Sequence, residues 1–366
     1  MPCLSILIAS ALLVCTLPTG LAILGLKEER LKTNTTLPME ELYSPPHYSV
    51  IGQQKCGTST LWNQLIQNPV IRWAGPSKEL FFWNVDLPKT TLCDNHIESY
   101  LLQVAIQREK FNRTDVLMGD WSTTYFSCLC CPLTLKMLNP KMKIIVVLRD
   151  PVQRALSRFL EQKRNERFPL HKEVKNHTFA TFVDQEVDEM DACVERASAF
   201  KNQLSNSAVP VGWGGGMSLG QWMEAQCFAR RNIIGWSAYD VFLENYLAHF
   251  PPGQVLVLYT NELAENPLSA IRKTESFLGA PEFNYDPNRL SMVFNSRACY
   301  HWKCAKKANE IKAVDDSEPV TNRTAPFLQA VSRLTTFFKP RMQRMFKWAD
   351  EGRIADVPPA WRSTYA

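Results

Sequence analysis

The sequence predicts an α/β fold, a P-loop-like parallel sheet flanked by helices, from three stretches. His47–Gln67, HYSVIGQQKCGTSTLWNQLIQ, begins with Tyr48, Val50 and Ile51, β-branched and aromatic as in a buried strand, then sets Leu61, Trp62, Leu65 and Ile66 at helical spacing. Lys143–Asp150, KIIVVLRD, is a near-continuous apolar run closed by charge, as in a central parallel strand buried on both faces, and Pro151 opens a helix directly behind it. Gln254–Tyr259 repeats the buried-strand pattern. With 366 residues, 45% hydrophobic and 21% charged, the chain is ordinary globular material, enough for one large domain or two small ones. Its net charge of +5 suits a polyanionic glycan or a nucleotide without identifying either, and no nucleic-acid partner is expected.

The first strand runs through a tight loop, Gly52, Lys55, Cys56, Gly57, Thr58, Ser59 and Thr60, into the helix. Such a loop suits a phosphate tail: glycines let the backbone come close, amide N–H groups and the helix dipole face the anion, hydroxyls add donors and a lysine adds a full charge. A Walker A loop places its lysine after the second glycine, whereas Lys55 precedes Gly57 by two, so that motif is not met. A strand-to-helix turn with an N-capping Thr is the alternative. Cys56 reads as a small loop residue, since no matched His and Asn motif supports a nucleophile.

The partner of this loop lies about a hundred residues on. In a doubly wound sheet ligands gather at the carboxyl ends of strands, so Arg149 and the helix carrying Arg154, Ser157, Arg158, Lys163 and Arg164 face the same crevice.

Here the chain resembles a known family. IGQQKCGTST is similar to the 5′-phosphosulfate loop, and LRDPVQRALSRF, with Arg149 and Ser157 eight residues apart, to the 3′-phosphate motif of Golgi carbohydrate sulfotransferases that use 3′-phosphoadenosine 5′-phosphosulfate (PAPS). SKELFFW (Ser77–Trp83) and GDWSTTYF (Gly119–Phe126) resemble, in order, two segments of the heparan sulfate enzymes. Where those enzymes carry Lys after the acidic residue this chain has Trp121, and their Pro is Thr123. Gly253–Pro281 and the helix FLQAVSRLTTFFKPRMQRMFKW resemble the terminal part of the chondroitin-type enzyme that 6-sulfates 4-sulfated N-acetylgalactosamine. The resemblance runs from about Tyr48 to Trp348 and implies the sulfotransferase fold, PAPS as donor and a glycan hydroxyl as acceptor.

It also implies roles. Lys55 neutralises the bridging oxygen of the leaving nucleotide in an in-line transfer, and Arg149 and Ser157 hold the 3′-phosphate. Glu79, set beside Leu80, Phe81, Phe82 and Trp83, is the candidate general base, its pKa raised by aromatic burial; the alternative is a strand end turning to solvent. Asp120 either orients Lys55 or the acceptor, or is a loop acid. Lys306 or Lys307, in the basic and aromatic loop Arg297–Lys307, covers the 3′-phosphate end, and that loop is expected to close on a Cys299–Cys304 disulfide. No metal is expected, because a sulfuryl group carries less charge than a terminal phosphoryl and demands no Mg²⁺ clamp. Two readings stand as rivals: a catalytically inactive glycan-binding relative and an ATP-dependent nucleotide kinase.

The remaining elements follow in order. Cys3–Leu26 contains no charged residue and is an anchor or a signal peptide (1–26), followed by a stem (27–46), the catalytic domain (47–350) and a C-terminal tail (351–366). Lys27, Arg30 and Lys32 follow the apolar segment and by charge alone put the body in the cytosol, whereas the family implies a type II Golgi protein with its body in the lumen. Sequons at Asn34, Asn112, Asn176 and Asn322 favour the lumen, where some of the nine cysteines beyond the apolar segment should pair. Cys128, Cys130 and Cys131 read as disulfide or buried thiols rather than zinc ligands, for CLCC lacks a second C-x-x-C pair. Val70–Trp73 and Val116–Gly119 are short strands, and His96–Lys110, Thr178–Phe200 and Asp240–Phe250 are helices, the second exposing an acidic face. Gly212–Gly216, without a strand leading into it, is a flexible break and a candidate gate over the substrate.

Overall fold

A computed structural model describes residues 37–84, 93, 96–204, 217–296, 301, 303–307 and 324–366, with the backbone alone for 200–204. Five strands form one parallel sheet: β1 (Tyr48–Gly52), β2 (Ile71–Trp73), β3 (Leu117–Asp120), β4 (Lys143–Leu148) and β5 (Val255–Tyr259). Their spatial order is β2-β3-β1-β4-β5, so the chain reverses direction across the sheet between β1 and β4. A separate antiparallel ribbon pairs β6 (Met292–Phe294) with β7 (Ala305–Lys307).

Why β4 lies inside the sheet follows from its side chains. Ile144, Val146 and Leu148 enter the apolar core on one face, while Ile145 and Val147 enter the core on the other. Alternation along an extended chain sends successive residues to opposite faces, so an unbroken apolar run fits only a strand covered on both. The covering helices include α1 (Thr58–Leu65), α2 (Ile97–Phe111), α3 (Pro151–Arg164), α4 (Phe179–Leu204), α5 (Leu219–Ala229), α6 (Tyr239–His249), α7 (Pro267–Leu278), α8 (Ala325–Asp350) and α9 (Pro359–Tyr365). Gly119 is forced by packing: a Cβ there would sit 2.0 Å from the Tyr48 ring, which pairs with it across β1 and β3.

The domain extends past the expected boundaries at both ends. Leu42, assigned to the stem, is fully buried, and buried Arg108 donates to the carbonyls of Glu41, Leu42 and Ser44. At the other end, α9 buries Trp361 and Tyr365, and the Tyr365 hydroxyl donates to Asp150 Oδ2 at 3.0 Å. Residues 351–366 are therefore part of the domain rather than a tail. The acidic helix α4 exposes Asp184 and Asp188 as expected, although Arg333 of α8 clamps both, and Glu186 turns inward to Arg231.

Disulfides join Cys93 to Cys130, Cys128 to Cys131 and, between α4 and α5, Cys193 to Cys227. The four sulfurs of Cys93, Cys128, Cys130 and Cys131 lie within 4.8 Å of one another, paired as disulfides. Cys304 is also disulfide-bonded, while its expected partner Cys299 lies outside the described residues, as do the apolar segment Cys3–Leu26 and the glycine run 212–216. Among the described residues no helix is long and apolar enough to cross a membrane.

Candidate active site

The turn after β1 leads directly into the N-terminus of α1. Lys55 and Gly57 both take left-handed backbone angles, φ 70° and 94°, and Gly57 is the N-cap of α1. At Gly57 that conformation suits a residue without a side chain; at Lys55 it is a strained choice of the kind found at functional sites. Thr260, first residue of the helical turn after β5, locks the loop by donating to the carbonyls of Cys56 at 2.7 Å and Leu148 at 3.1 Å.

From β4 the chain passes Arg149 to Asp150, whose Oδ1 accepts from the Gln153 N–H and caps α3. Arg149 Nη1 reaches the Lys55 carbonyl at 3.4 Å, and its own carbonyl accepts from the Tyr239 hydroxyl at 2.7 Å. The strand reversal thus brings the Lys55 loop and the Arg149 helix side by side, where an open α/β sheet places its ligands.

One cavity of about 340 Å³ lies between them, lined by Lys55, Gly57, Thr58, Ser59, Thr60, Glu79, Arg149 and Ser157, together with Phe81, Thr123, Arg158, Glu161, Thr260 and Phe294. Eight of the expected site residues therefore share one wall system. Ammonium and guanidinium groups, helix-terminal N–H groups and hydroxyls line it, a donor set for a doubly anionic ligand.

Glu161, which the sequence did not single out, is the carboxylate partner of Lys55. Its Oε1 lies 2.6 Å from Lys55 Nζ and its Oε2 2.6 Å from Arg158 Nη1, while Arg158 Nε also donates to Asn232 Oδ1. Burial opposes ionisation of Glu161, yet Lys55 and Arg158 overcome it and hold the carboxyl down to about 2. Desolvation pulls the Lys55 ammonium below its ordinary value despite Glu161. The available signal was spacing alone: Glu161 stands one turn beyond Ser157 on the same helix.

Glu79 faces the loop from the segment after β2. Its Oε1 lies 2.5 Å from Lys78 Nζ, and its Oε2 accepts from Thr123 Oγ1 at 2.8 Å. Its polar partners are thus Lys78 and Thr123, and Phe81 lines the same cavity. Lys78, 2% exposed and 3.4 Å from Thr58 Oγ1, joins Glu79 to the start of α1.

Asp120 lies behind this wall, fully buried, and does not serve as the partner expected for Lys55. It accepts from Ser122 Oγ at 2.5 Å and Tyr100 OH at 3.0 Å, and burial pushes its carboxyl up to about 6. Ser122 Oγ accepts in turn from the Phe81 N–H at 2.8 Å, so Asp120 fixes the backbone beside Glu79, where Phe81 has φ 52°. Trp121 packs edge-on against Tyr48 on the opposite face of the sheet.

One more expectation is corrected. Arg154, placed in the crevice by the helix pattern, is fully buried and donates to the carbonyls of Gln54, Asn232 and Ile233. The Cys56 side chain points away, toward Tyr239, and burial raises its thiol to about 11, the environment of an inert sulfur. Lys307 lines a neighbouring groove with Trp62 and Arg289, whereas Lys306 pairs in the ribbon opposite Val293, itself part of the cavity lining. The ribbon itself touches the loop: the Phe294 N–H donates to Thr60 Oγ1 at 3.0 Å.

A family model described as sulfotransferase domain matches residues 45–312. The chain is 25% identical over 320 residues to the bifunctional heparan sulfate N-deacetylase/N-sulfotransferase 3 of Homo sapiens, covering 86% of this chain and 31% of that protein. It is 24% identical to the heparan sulfate glucosamine 3-O-sulfotransferase 3B1 of Homo sapiens, over 81% of this chain and 61% of that one. Against the membrane-associated sulfotransferase kil1 of Dictyostelium discoideum the identity is 23%, over 71% and 61%. Among solved structures, a sulfotransferase from Alicyclobacillus acidocaldarius aligns with a TM-score of 0.49 and 20% identity, over 87% of this chain and 99% of that chain. The chain thus spans under a third of the length of the first of these relatives.

Proposed function

The chain belongs to the sulfotransferase family, and from that premise we propose that it moves a sulfuryl group from PAPS to a hydroxyl of a glycan, of chondroitin/dermatan or heparan type. The observation that carries the reading is the shared cavity, in which Lys55 and the N-terminus of α1 stand beside Arg149, Ser157 and Arg158, with Glu79 opposite. The donor has an anion at each end, and the cavity offers two cationic groups of residues to match.

When bound, PAPS would supply an activated sulfuryl group whose departure leaves charge on a bridging phosphate oxygen. Lys55 and the N–H groups of Gly57 and Thr58 would stabilise that charge, and Arg149, Ser157 and Arg158 would hold the 3′-phosphate. Glu79, ionic to Lys78 and bonded to Thr123, is aimed to take the acceptor hydroxyl's proton. Heparan-type relatives support a glycan acceptor, as the first two of them are named for heparan sulfate.

A luminal location fits the disulfides and the exposed sequons at Asn112 and Asn176, with Cys3–Leu26 as the membrane anchor or signal. Titration with 3′-phosphoadenosine 5′-phosphate (PAP) and ATP, followed by labelled-sulfate transfer to a glycan panel, tests the proposal. Binding of PAP with transfer supports it; ATP preferred over PAP favours the kinase, and PAP or glycan binding without transfer favours the inactive relative.

A further inference from the structure

Four sulfurs meet in one small space of the core. Cys128, Cys130 and Cys131 follow the single turn Tyr125–Ser127, and Cys93, which stands 35 residues before Cys128, completes the group. All four are buried, none more than 7% exposed. Across the two disulfides, Cys93 Sγ lies 3.8 Å from Cys128 Sγ and 3.8 Å from Cys131 Sγ, and Cys128 Sγ lies 3.6 Å from Cys130 Sγ. A tetrahedral zinc with Zn–S bonds of about 2.3 Å holds its sulfurs about 3.8 Å apart, so these spacings already suit one ion. In sequence the CLCC run lacks a second pair of ligands; the fold brings Cys93 to it as the fourth sulfur.

Backbone groups favour negative charge on these sulfurs. The Cys93 N–H donates to Cys130 Sγ at 2.8 Å and the Cys131 N–H to Cys128 Sγ at 3.2 Å, and Cys130 is the N-cap of the helix Cys131–Leu138. A disulfide sulfur is a weak acceptor and gains little from such donors, whereas a thiolate gains charge-assisted bonds and the positive end of the helix dipole. We propose that the cluster is a zinc site of the reduced chain, in which Cys93, Cys128, Cys130 and Cys131 hold one Zn²⁺ as thiolates in place of the two disulfides. A dithiol reductant gives two electrons and two protons to each S–S bond and becomes a disulfide itself, leaving four thiols. Zn²⁺ then forms four Zn–S bonds, and the four protons pass to solvent. Either closure serves the same frame: Tyr125, three residues before Cys128, accepts through its hydroxyl from the Phe82 and Trp83 N–H groups, so tying this turn to Cys93 seats the segment that carries Glu79.

The test uses the full chain reduced by a phosphine, which becomes its oxide with oxygen from water and brings no competing thiol, then equilibrated with Zn²⁺ and desalted without oxygen. The expected result is one zinc retained per chain and, with Co²⁺ in its place, the intense visible bands of a tetrahedral tetrathiolate. Free Zn²⁺ at about 100-fold above its Kd should raise the Tm of the reduced chain by ~4 °C. Cys93→Ser should weaken zinc binding about 100-fold, while Cys193→Ser, which removes a thiol of the disulfide between α4 and α5, leaves it unchanged. Should Cys93→Ser fail to fold, the cobalt spectrum of the wild type decides: four sulfur ligands support the site and fewer overturn it. A reduced chain that retains no zinc, or a Cys93→Ser chain that retains as much as wild type, overturns the proposal.

Discussion

Replacing Lys55 by Ala separates catalysis from folding. The ammonium is nearly buried, its side chain 10% exposed, and lies at the N-terminus of α1 beside Arg149. A unit charge about 4 Å from a developing anion is worth ~4 kcal/mol at an effective dielectric of about 20. Loss of that term slows transfer roughly 10³-fold, the scale seen when one oxyanion donor is removed. Deletion does not strand Glu161, which keeps Arg158 at 2.6 Å, so the domain should remain folded. The assay is labelled-sulfate transfer at saturating PAPS, with thermal unfolding alongside. The expected outcome is a loss of turnover of about 10³ with Tm changed by no more than ~3 °C. Transfer within tenfold of wild type in a folded Lys55→Ala protein refutes the role given to this lysine.

Other substitutions probe the frame that holds the loop. Arg154→Met leaves the carbonyls of Gln54, Asn232 and Ile233 without their donor and should cost roughly 3–5 kcal/mol, a fall of ~4–7 °C in Tm for a chain of this size, read by calorimetry. Gly119→Ala drives a methyl into the Tyr48 ring, which is anchored by the Arg72 carbonyl and Trp121 Nε1, and should destabilise by about 3 kcal/mol, checked by denaturant titration. Asp120 titrates in the fold at about 6 against an ordinary value of 3.8, so the folded state binds its proton more tightly. Its contribution is full below pH ~4 and lost as pH rises through about 6, a decrease of ~3 kcal/mol. Relative to Asp120→Asn, wild type should therefore lose that much stability between pH 4 and pH 7; parallel stability curves for the two proteins contradict it.

What was legible in the sequence was local. The Lys55 loop announced itself through a strand pattern, glycines, hydroxyls and a helical pattern in one stretch, and β4 through an apolar run that only a doubly covered strand explains. Pairings across the chain were not legible: Lys55 meets Glu161 across 106 residues, Thr260 binds the Cys56 carbonyl across 204, and Tyr365 reaches Asp150 across 215. Helical spacing also misled. Arg154 and Arg158 lie one turn apart on the same face of α3, yet the first sits deep against loop carbonyls while the second lines the cavity. Periodicity fixes a side chain's direction, and depth depends on what the helix packs against. The Lys78 partner of Glu79 was missed for a related reason, because nothing in the sequence says that this lysine turns inward beside it.

The parallel sheet explains why residues so far apart converge. Each strand ends at the same edge, and each of the five contributes there: β1 leads to Lys55, β2 to Glu79, β3 to Thr123, β4 to Arg149 and β5 to Thr260. The order β2-β3-β1-β4-β5 then sorts the chemistry by position. Adjacent β1 and β4 lead to the cations Lys55 and Arg149, while β2 and β3 on one side lead to Glu79 and the Thr123 hydroxyl bonded to it. On the proposed reading the sulfuryl group crosses from the β1–β4 crevice toward the β3–β2 side, and the acceptor approaches over Phe81 and Thr123. Inserting a strand between β1 and β4 would part Arg149 from the Lys55 carbonyl and divide the cradle, with every local motif left intact. The proposed activity thus depends on strand order as directly as on any one side chain.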